Sequence, residues 1–125
     1  FRFVNIMALS YGAIGTTDRK LKQAEFDKLF TRNKPIIANF HGYPDTLRSI
    51  FSHYIDRARV RVHGFLERGS TTTPFEMLSL NEASRYHLAI DVARLEKHDD
   101  LIEKFQKAIA DNHTYAIKNG IDKIA

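Results

Sequence analysis

Two short segments carry most of the chemistry-bearing residues of this chain. One is His41-Gly42-Tyr43-Pro44; the other is Arg68-Gly69-Ser70-Thr71-Thr72-Thr73. Each joins glycine to imidazole, guanidinium or hydroxyl groups, and each leads into a helix-forming run. Free backbone N–H groups and the helix dipole favour an anion at such a place. The expectation is therefore a phosphate- or carboxylate-holding or interface role for His41, Gly42, Tyr43, Arg68, Gly69, Ser70, Thr71, Thr72 and Thr73. The competing reading, which the residues favour, is that the hydroxyls only cap a helix and stiffen its turn.

The six histidines are His41, His53, His63, His87, His98 and His113. A zinc site needs three or four ligands, often with a tight local spacing. No His-x-x-x-His pair and no acid-flanked His motif occurs, so no metal ligand is expected. His41 alone follows a strand in a Gly-containing turn, which makes it the best histidine candidate. His53 and His87 read as surface or packing residues on helices, and His63 as a group on the polar face of a strand, where it can lie near His41. Gly-x-Ser-x-Gly, Gly-x-x-x-x-Gly-Lys and Gly-x-Gly-x-x-Gly are all missing, and no catalytic residue is expected.

Composition narrows the class. The 125 residues suit one domain, with 43% hydrophobic and 27% charged residues, the balance of an ordinary globular protein. No apolar run is long enough to span a bilayer. No basic-then-apolar leader opens the chain. Cysteine is absent, which excludes disulfides and thiolate metal sites and fits a reducing compartment; a cytoplasmic location is expected. The net charge of +4 is spread thinly. Its densest cluster, Arg57, Arg59 and Arg61, reads as the solvated face of a strand, or as local phosphate or carboxylate capture, and not as a nucleic-acid interface.

The elements that must position these residues alternate in type. Phe3 to Leu9 reads as a buried strand, and Tyr11 to Thr17 as a loop. Phe26, Leu29 and Phe30 give a helical face to residues 23–32. Pro35 to Phe40 is a second buried strand. Asp45 is the expected N-cap of a helix with Leu47, Ile50, Phe51, Tyr54 and Ile55 on one face. Arg59 to Phe65 alternates as a third strand, Val60 and Val62 on one side and Arg59, Arg61 and His63 on another that is wet or packed against polar groups, as at a sheet edge. Thr73-Pro74-Phe75-Glu76 reads as a capping box with proline at the first helical position. Asn81 or Ser79 restarts a helix through Lys97. Asp99 or Asp100 caps the last one, whose stripe includes Leu101, Phe105, Ala108, Ile109, Tyr115 and Ala116 and which Asn119-Gly120 stops. Strands alternating with helices imply a mainly parallel sheet in an α/β domain with helices on both faces. Three strands make a thin sheet of that kind, so a preceding strand and helix are expected to be missing from the front.

Several strings resemble the C-terminal domain of phosphoketolases. They are Phe40-His41-Gly42-Tyr43-Pro44, Val62-His63-Gly64-Phe65 and Gly69-Ser70-Thr71-Thr72-Thr73-Pro74-Phe75, in that order. Leu80-Asn81, Tyr86-His87-Leu88, Asp91-Val92, Val4-Asn5-Ile6, Phe26-Asp27-Lys28-Leu29-Phe30 and Tyr115 to Gly120 extend the similarity over nearly the whole chain. Ser70 stands where the family often has Thr, Ser10 to Lys22 departs from the usual loop, and a tryptophan-containing tail is not present.

The resemblance implies a three-layer α/β/α, transketolase C-terminal-domain-like fold, truncated on its N-terminal side, with residues 1–125 as a single partial domain. It implies a parent aldehyde-lyase that uses thiamine diphosphate and magnesium. That enzyme cleaves xylulose 5-phosphate or fructose 6-phosphate with inorganic phosphate, giving acetyl phosphate plus glyceraldehyde 3-phosphate or erythrose 4-phosphate. The cofactor would lie in N-terminal domains across a homodimer interface, where a Gly-Asp-Gly motif holds it. This chain has no Gly-Asp-Gly, so the expectation is no cofactor, no metal and no activity alone, with a structural, subunit-contact or regulatory role. Its partners would be the remaining phosphoketolase domains and the second subunit, with an anion as a further candidate and neither nucleic acid nor membrane. The alternative is a stand-alone small α/β domain that binds an anion or a partner.

Overall fold

A computed structural model describes the chain except for Tyr11, Thr17, Arg68, Ser70, Ile124 and Ala125. It is a mixed α/β structure, and the described residues form two compact units. The first comprises Phe1–Ala38 and Pro44–Val62, the second Asn39–Tyr43 and His63–Ala125.

In the first unit, strands β1 (Leu9–Ser10) and β2 (Ala13–Ile14) form an antiparallel hairpin. Gly12 at its turn has φ 76°, a conformation glycine adopts without steric cost. The loop expected over residues 11–17 is thus partly hairpin. The long buried strand expected from Phe3 is not formed. Residues 1–8 carry no regular structure, and Phe1, Phe3 and Met7 are exposed. Val4, Ile6 and Ala8 are half-buried between them, so the segment keeps the period-two alternation of an extended chain. Apolar content makes a strand only where a neighbour completes the ladder, and among the described residues Ala8 is the first whose carbonyl accepts such a bond, from Gly15.

Helix α1 (Gln23–Phe30) forms as expected. The Glu25 carboxylate accepts from the Lys22 N–H at 2.9 Å, closing the helix start. Phe26, wholly buried, stacks on Phe30 at 4.5 Å and on Tyr54 at 4.6 Å and meets Phe51 edge-on at 6.0 Å. Offset and edge contacts suit the ring quadrupoles. Helix α2 (Pro44–Ser52) supplies Leu47, Ile50 and Phe51 to the same core. It starts at Pro44, so Asp45 is not the cap: it lies in the first turn and pairs with Arg48 at 2.8 Å. Proline at a first helical position lacks a donor the helix would leave unbonded anyway.

Strands β3 (Ile36–Asn39) and β4 (Val60–His63) form a second two-stranded sheet. The described residues therefore hold two small sheets and not one three-stranded one. Beyond the strands, Phe40 N–H donates to His63 O and Phe65 N–H to Gly42 O; the residue numbers rise together, as they do between strands running the same way. Arg57 and Arg59 are not strand residues but form a 3-10 turn, Arg57–Arg59, capped by Asp56. The Arg59 guanidinium donates to the carbonyls of Phe30 and Thr31, each at 2.6 Å, and of Lys34 at 2.8 Å. It satisfies carbonyls that the end of α1 leaves unbonded, which corrects the solvated-face reading of that arginine. Of the two readings of its face, His63 takes the packed one: it is 5% exposed and meets a polar group, Asp91.

The second unit is helical. Helix α3 (Pro74–Leu80) has Thr73 as N-cap. Helix α4 (Arg85–Glu96) starts after Ser84, not at Ser79 or Asn81, because Asn81 ends α3. Helix α5 (Asp99–Asn119) has His98 as its N-cap residue, with Asp99 and Asp100 in its first turn, and closes at Gly120 with φ 70°. Two acids in the first turn complement the helix dipole without capping it. Helices α4 and α5 pack along each other, with Tyr86 stacked on Phe105 at 6.0 Å.

Candidate functional site

The sequence-selected loops meet different neighbours. The exposed His41 ring stacks on Phe65 with centroids 4.5 Å apart. Gly42 is needed for space: a Cβ there would lie 2.5 Å from a ring carbon of Phe40. Tyr43 is 67% exposed. In the second loop Gly69 has φ 70° with open space around it. Thr71 and Thr72 are exposed, and Thr73 is half-buried. Arg68 and Ser70 lie outside the described residues. No hydrogen bond or ring contact joins the two loops among the described residues, and His63 turns not to His41 but to Asp91.

Thr73 opens a polar network. Its hydroxyl lies 2.5 Å from Asp122 Oδ1, and the Phe75 N–H donates to Asp122 Oδ2 at 2.9 Å. Asn112 Nδ2 donates to Asp122 at 3.3 Å and to Glu76 at 3.2 Å, and its carbonyl accepts the Lys123 N–H at 2.8 Å. His113 Nδ1 sits 2.5 Å from the other Glu76 oxygen. The Thr73 hydroxyl caps Glu76 N–H as expected, but the Glu76 carboxylate turns to α5 instead of closing the capping box. Burial opposes charge on Asp122, yet the hydrogen bonds from Thr73, Phe75 and Asn112 outweigh it and hold the carboxyl below its usual range.

The second centre is buried more deeply. His63 Nε2 lies 2.6 Å from Asp91 Oδ2, with both side chains 4% exposed, and Arg94 donates to the same carboxylate at 3.3 Å. Nearby, the wholly buried Ser84 places its hydroxyl 2.7 Å from His87 Nδ1. Burial lowers the His87 pKa; His63 and Arg94 push the same way against Glu82 and Asp91. A charge is costly where water is scarce, so these groups are paired. The Ser84 hydroxyl and the His63–Asp91 pair lie in packed interior, where they fix neighbouring elements.

The sequence reading missed Asp91, Asn112, His113 and Asp122. One had a visible signal. Asn112 stands four residues after Ala108 and four before Ala116, a polar residue within the apolar stripe of α5. Asp122 had none, since Phe75 and Thr73, whose groups it satisfies, lie 47 and 49 residues away.

Comparison with known proteins adds the family. The XFP C-terminal domain profile matches residues 1–125. The chain is 37% identical to a probable phosphoketolase of Pediococcus pentosaceus over 129 residues, covering 97% of this chain and 16% of that protein. It is 36% identical to probable phosphoketolase 1 of a Nostoc species over 129 residues, covering 98% and 16%. With the probable phosphoketolase of Bradyrhizobium diazoefficiens the identity is 49% over 71 residues, covering 57% and 9%. The chain thus spans about one sixth or less of the length of these relatives, and over its full length it belongs to the XFP C-terminal domain family, the C-terminal domain of phosphoketolases.

Proposed function

We propose that this chain serves a thiamine-diphosphate-dependent phosphoketolase as a structural and subunit-contact domain, and performs no catalysis alone. The parent reaction would split xylulose 5-phosphate or fructose 6-phosphate with phosphate, releasing acetyl phosphate and glyceraldehyde 3-phosphate or erythrose 4-phosphate. The observation that carries the structural role is the self-pairing of the buried polar groups: Glu76, Asn112 and Asp122 satisfy one another and Thr73, and His63 is spent on Asp91.

The chain's residues do not fit a thiamine diphosphate–magnesium site. Gly-Asp-Gly is absent from the sequence. Among the described residues no group of three His, Asp or Glu is gathered as metal donors. Other parts of a cytoplasmic homodimer would hold that cofactor. In that assembly the domain would take the three-layer, mainly parallel transketolase-like form, with its small sheets extended by further strands. His41, Gly42, Tyr43, Arg68, Gly69, Ser70, Thr71 and Thr72 would face the other domains or the second subunit. The exposed His41 and Tyr43 favour this contact role over anion capture, and Thr73 already holds Asp122 in the position an anion would take.

The test is acetyl phosphate formation, trapped as the hydroxamate. The 125-residue chain with thiamine diphosphate, magnesium, phosphate and xylulose 5-phosphate is expected to form none, and a longer protein containing it is expected to turn over. Turnover by the chain alone overturns the proposal.

A further inference from the structure

Beyond the polar network, the second unit holds a cavity of about 180 Å³ lined by residues including Phe75, Arg85, Tyr86, Asp111, Asn112 and Lys123. That is below the roughly 300–1,000 Å³ of drug-sized pockets, so it suits a ligand of few carbons. Its chemistry is mixed: two cations, one carboxylate and two aromatic faces.

The walls are held in place. The Arg85 guanidinium lies 4.7 Å from the Tyr86 ring centroid and 5.7 Å from that of Phe75. One of its nitrogens donates to the Tyr86 hydroxyl at 3.2 Å. A guanidinium stacked this way keeps its remaining edge N–H groups available for a planar or tetrahedral anion. The Phe75 and Tyr86 rings meet edge-on at 5.8 Å. Elsewhere in the lining the Lys123 N–H is tied to the buried Asn112 carbonyl, and the preceding Asp122 is tied to Thr73 and Phe75. The network thus fixes the backbone from which the Lys123 ammonium reaches out. Neither that ammonium nor the Asp111 carboxylate is engaged by another described residue.

We propose that this cavity binds a small phosphate monoester bearing hydroxyl groups. Arg85 and Lys123 would take the phosphate, since charge-assisted bonds to oxyanions are the strong ones. Asp111, an acceptor only, accepts hydrogen bonds from the hydroxyls and tunes the site away from bare phosphate. Phe75 and Tyr86 cover the carbon chain. The inference stands on the cavity and not on the family's reaction, so it survives if the chain proves to belong to an enzyme of different specificity.

The test is amide-detected NMR titration of the full chain with glycerol 1-phosphate, inorganic phosphate and glycerol. Glycerol 1-phosphate is expected to give saturable shifts at Phe75, Tyr86, Asp111 and Asn112, with inorganic phosphate weaker and glycerol silent. Arg85→Gln and Lys123→Gln should each weaken glycerol 1-phosphate about tenfold, the scale of one lost charge-assisted contact. Asp111→Asn should weaken glycerol 1-phosphate while leaving inorganic phosphate unchanged. Lys123 and Asp111 are exposed, so these two variants keep the test open if Arg85→Gln unfolds. No saturable shift at millimolar glycerol 1-phosphate overturns the proposal, as does unchanged affinity in folded Lys123→Gln. Equal weakening of both probes by Asp111→Asn overturns the hydroxyl assignment.

Discussion

The two units are held together by opposite means. The first has a ring cluster, Phe26, Phe30, Phe51 and Tyr54, with Phe26 and Phe51 almost wholly buried. The second is tied by the His63–Asp91 pair and by the Glu76–Asn112–Asp122 network. A ring cluster gains from area removed from water and tolerates small shifts. A polar network gains little per bond but loses heavily when one member is left unpaired. The first unit should therefore answer to side-chain volume, the second to side-chain chemistry at constant volume.

The comparison breaks most sharply at Phe26. Phe26→Ala is expected to cost about 3–5 kcal/mol, the range for an emptied aromatic site, read by urea denaturation. Phe26→Leu should recover much of it. Asp91→Asn, nearly the same size, should still cost about 1.5–3 kcal/mol, because it removes the charge-assisted bond to a buried imidazole. A small loss for Asp91→Asn together with a large one for a volume change nearby would erase the contrast between the units.

Asp122→Ala is expected to cost about 1 kcal/mol, the usual price of a lost helix cap. Its pH signature sharpens the assignment. The folded carboxyl lies below its ordinary 3.8, so its contribution is present above that value and fades as pH falls through the lower folded one. The variant should lose stability near neutral pH and show a shallower acid limb.

His87 gives the smallest effect. Its folded pKa lies below the ordinary 6.5, so the unfolded chain binds the proton more readily. Stability is then full above 6.5 and declines as pH falls through it toward the folded value. His87→Gln should flatten that part of a thermal-melting series against pH. An unchanged slope would assign the proton uptake elsewhere.

Much of the helical framework was legible in the sequence, because its signals are local. The stripe Leu47, Ile50, Phe51 fixed the buried face of α2, and Thr73-Pro74 fixed the start of α3. Sheet content was less legible. Phe3 to Leu9 has a strand's composition, but composition does not supply the neighbour that makes a ladder. The surroundings of His63 stayed open between water and polar packing for a related reason: alternation tells which residues share a side, not that a distant aspartate waits there. The family strings, by contrast, were specific enough to place the chain, and some of their residues, Thr73, Phe75, His63 and Asp91, proved to be members of the polar centres.

The tie between Asp122 and the start of α3 also orders events in time. During synthesis Thr73 and Phe75 leave the ribosome 47 or more residues before the carboxylate that satisfies them. Closing so long a loop is a late, entropically slow step. Until it happens, the start of α3 lacks its partner and the rim at Lys123 has no fixed position. The second unit should thus reach its native packing only after the chain through Asp122 is made, whereas the first, complete at Val62, can settle while the rest is still being synthesised.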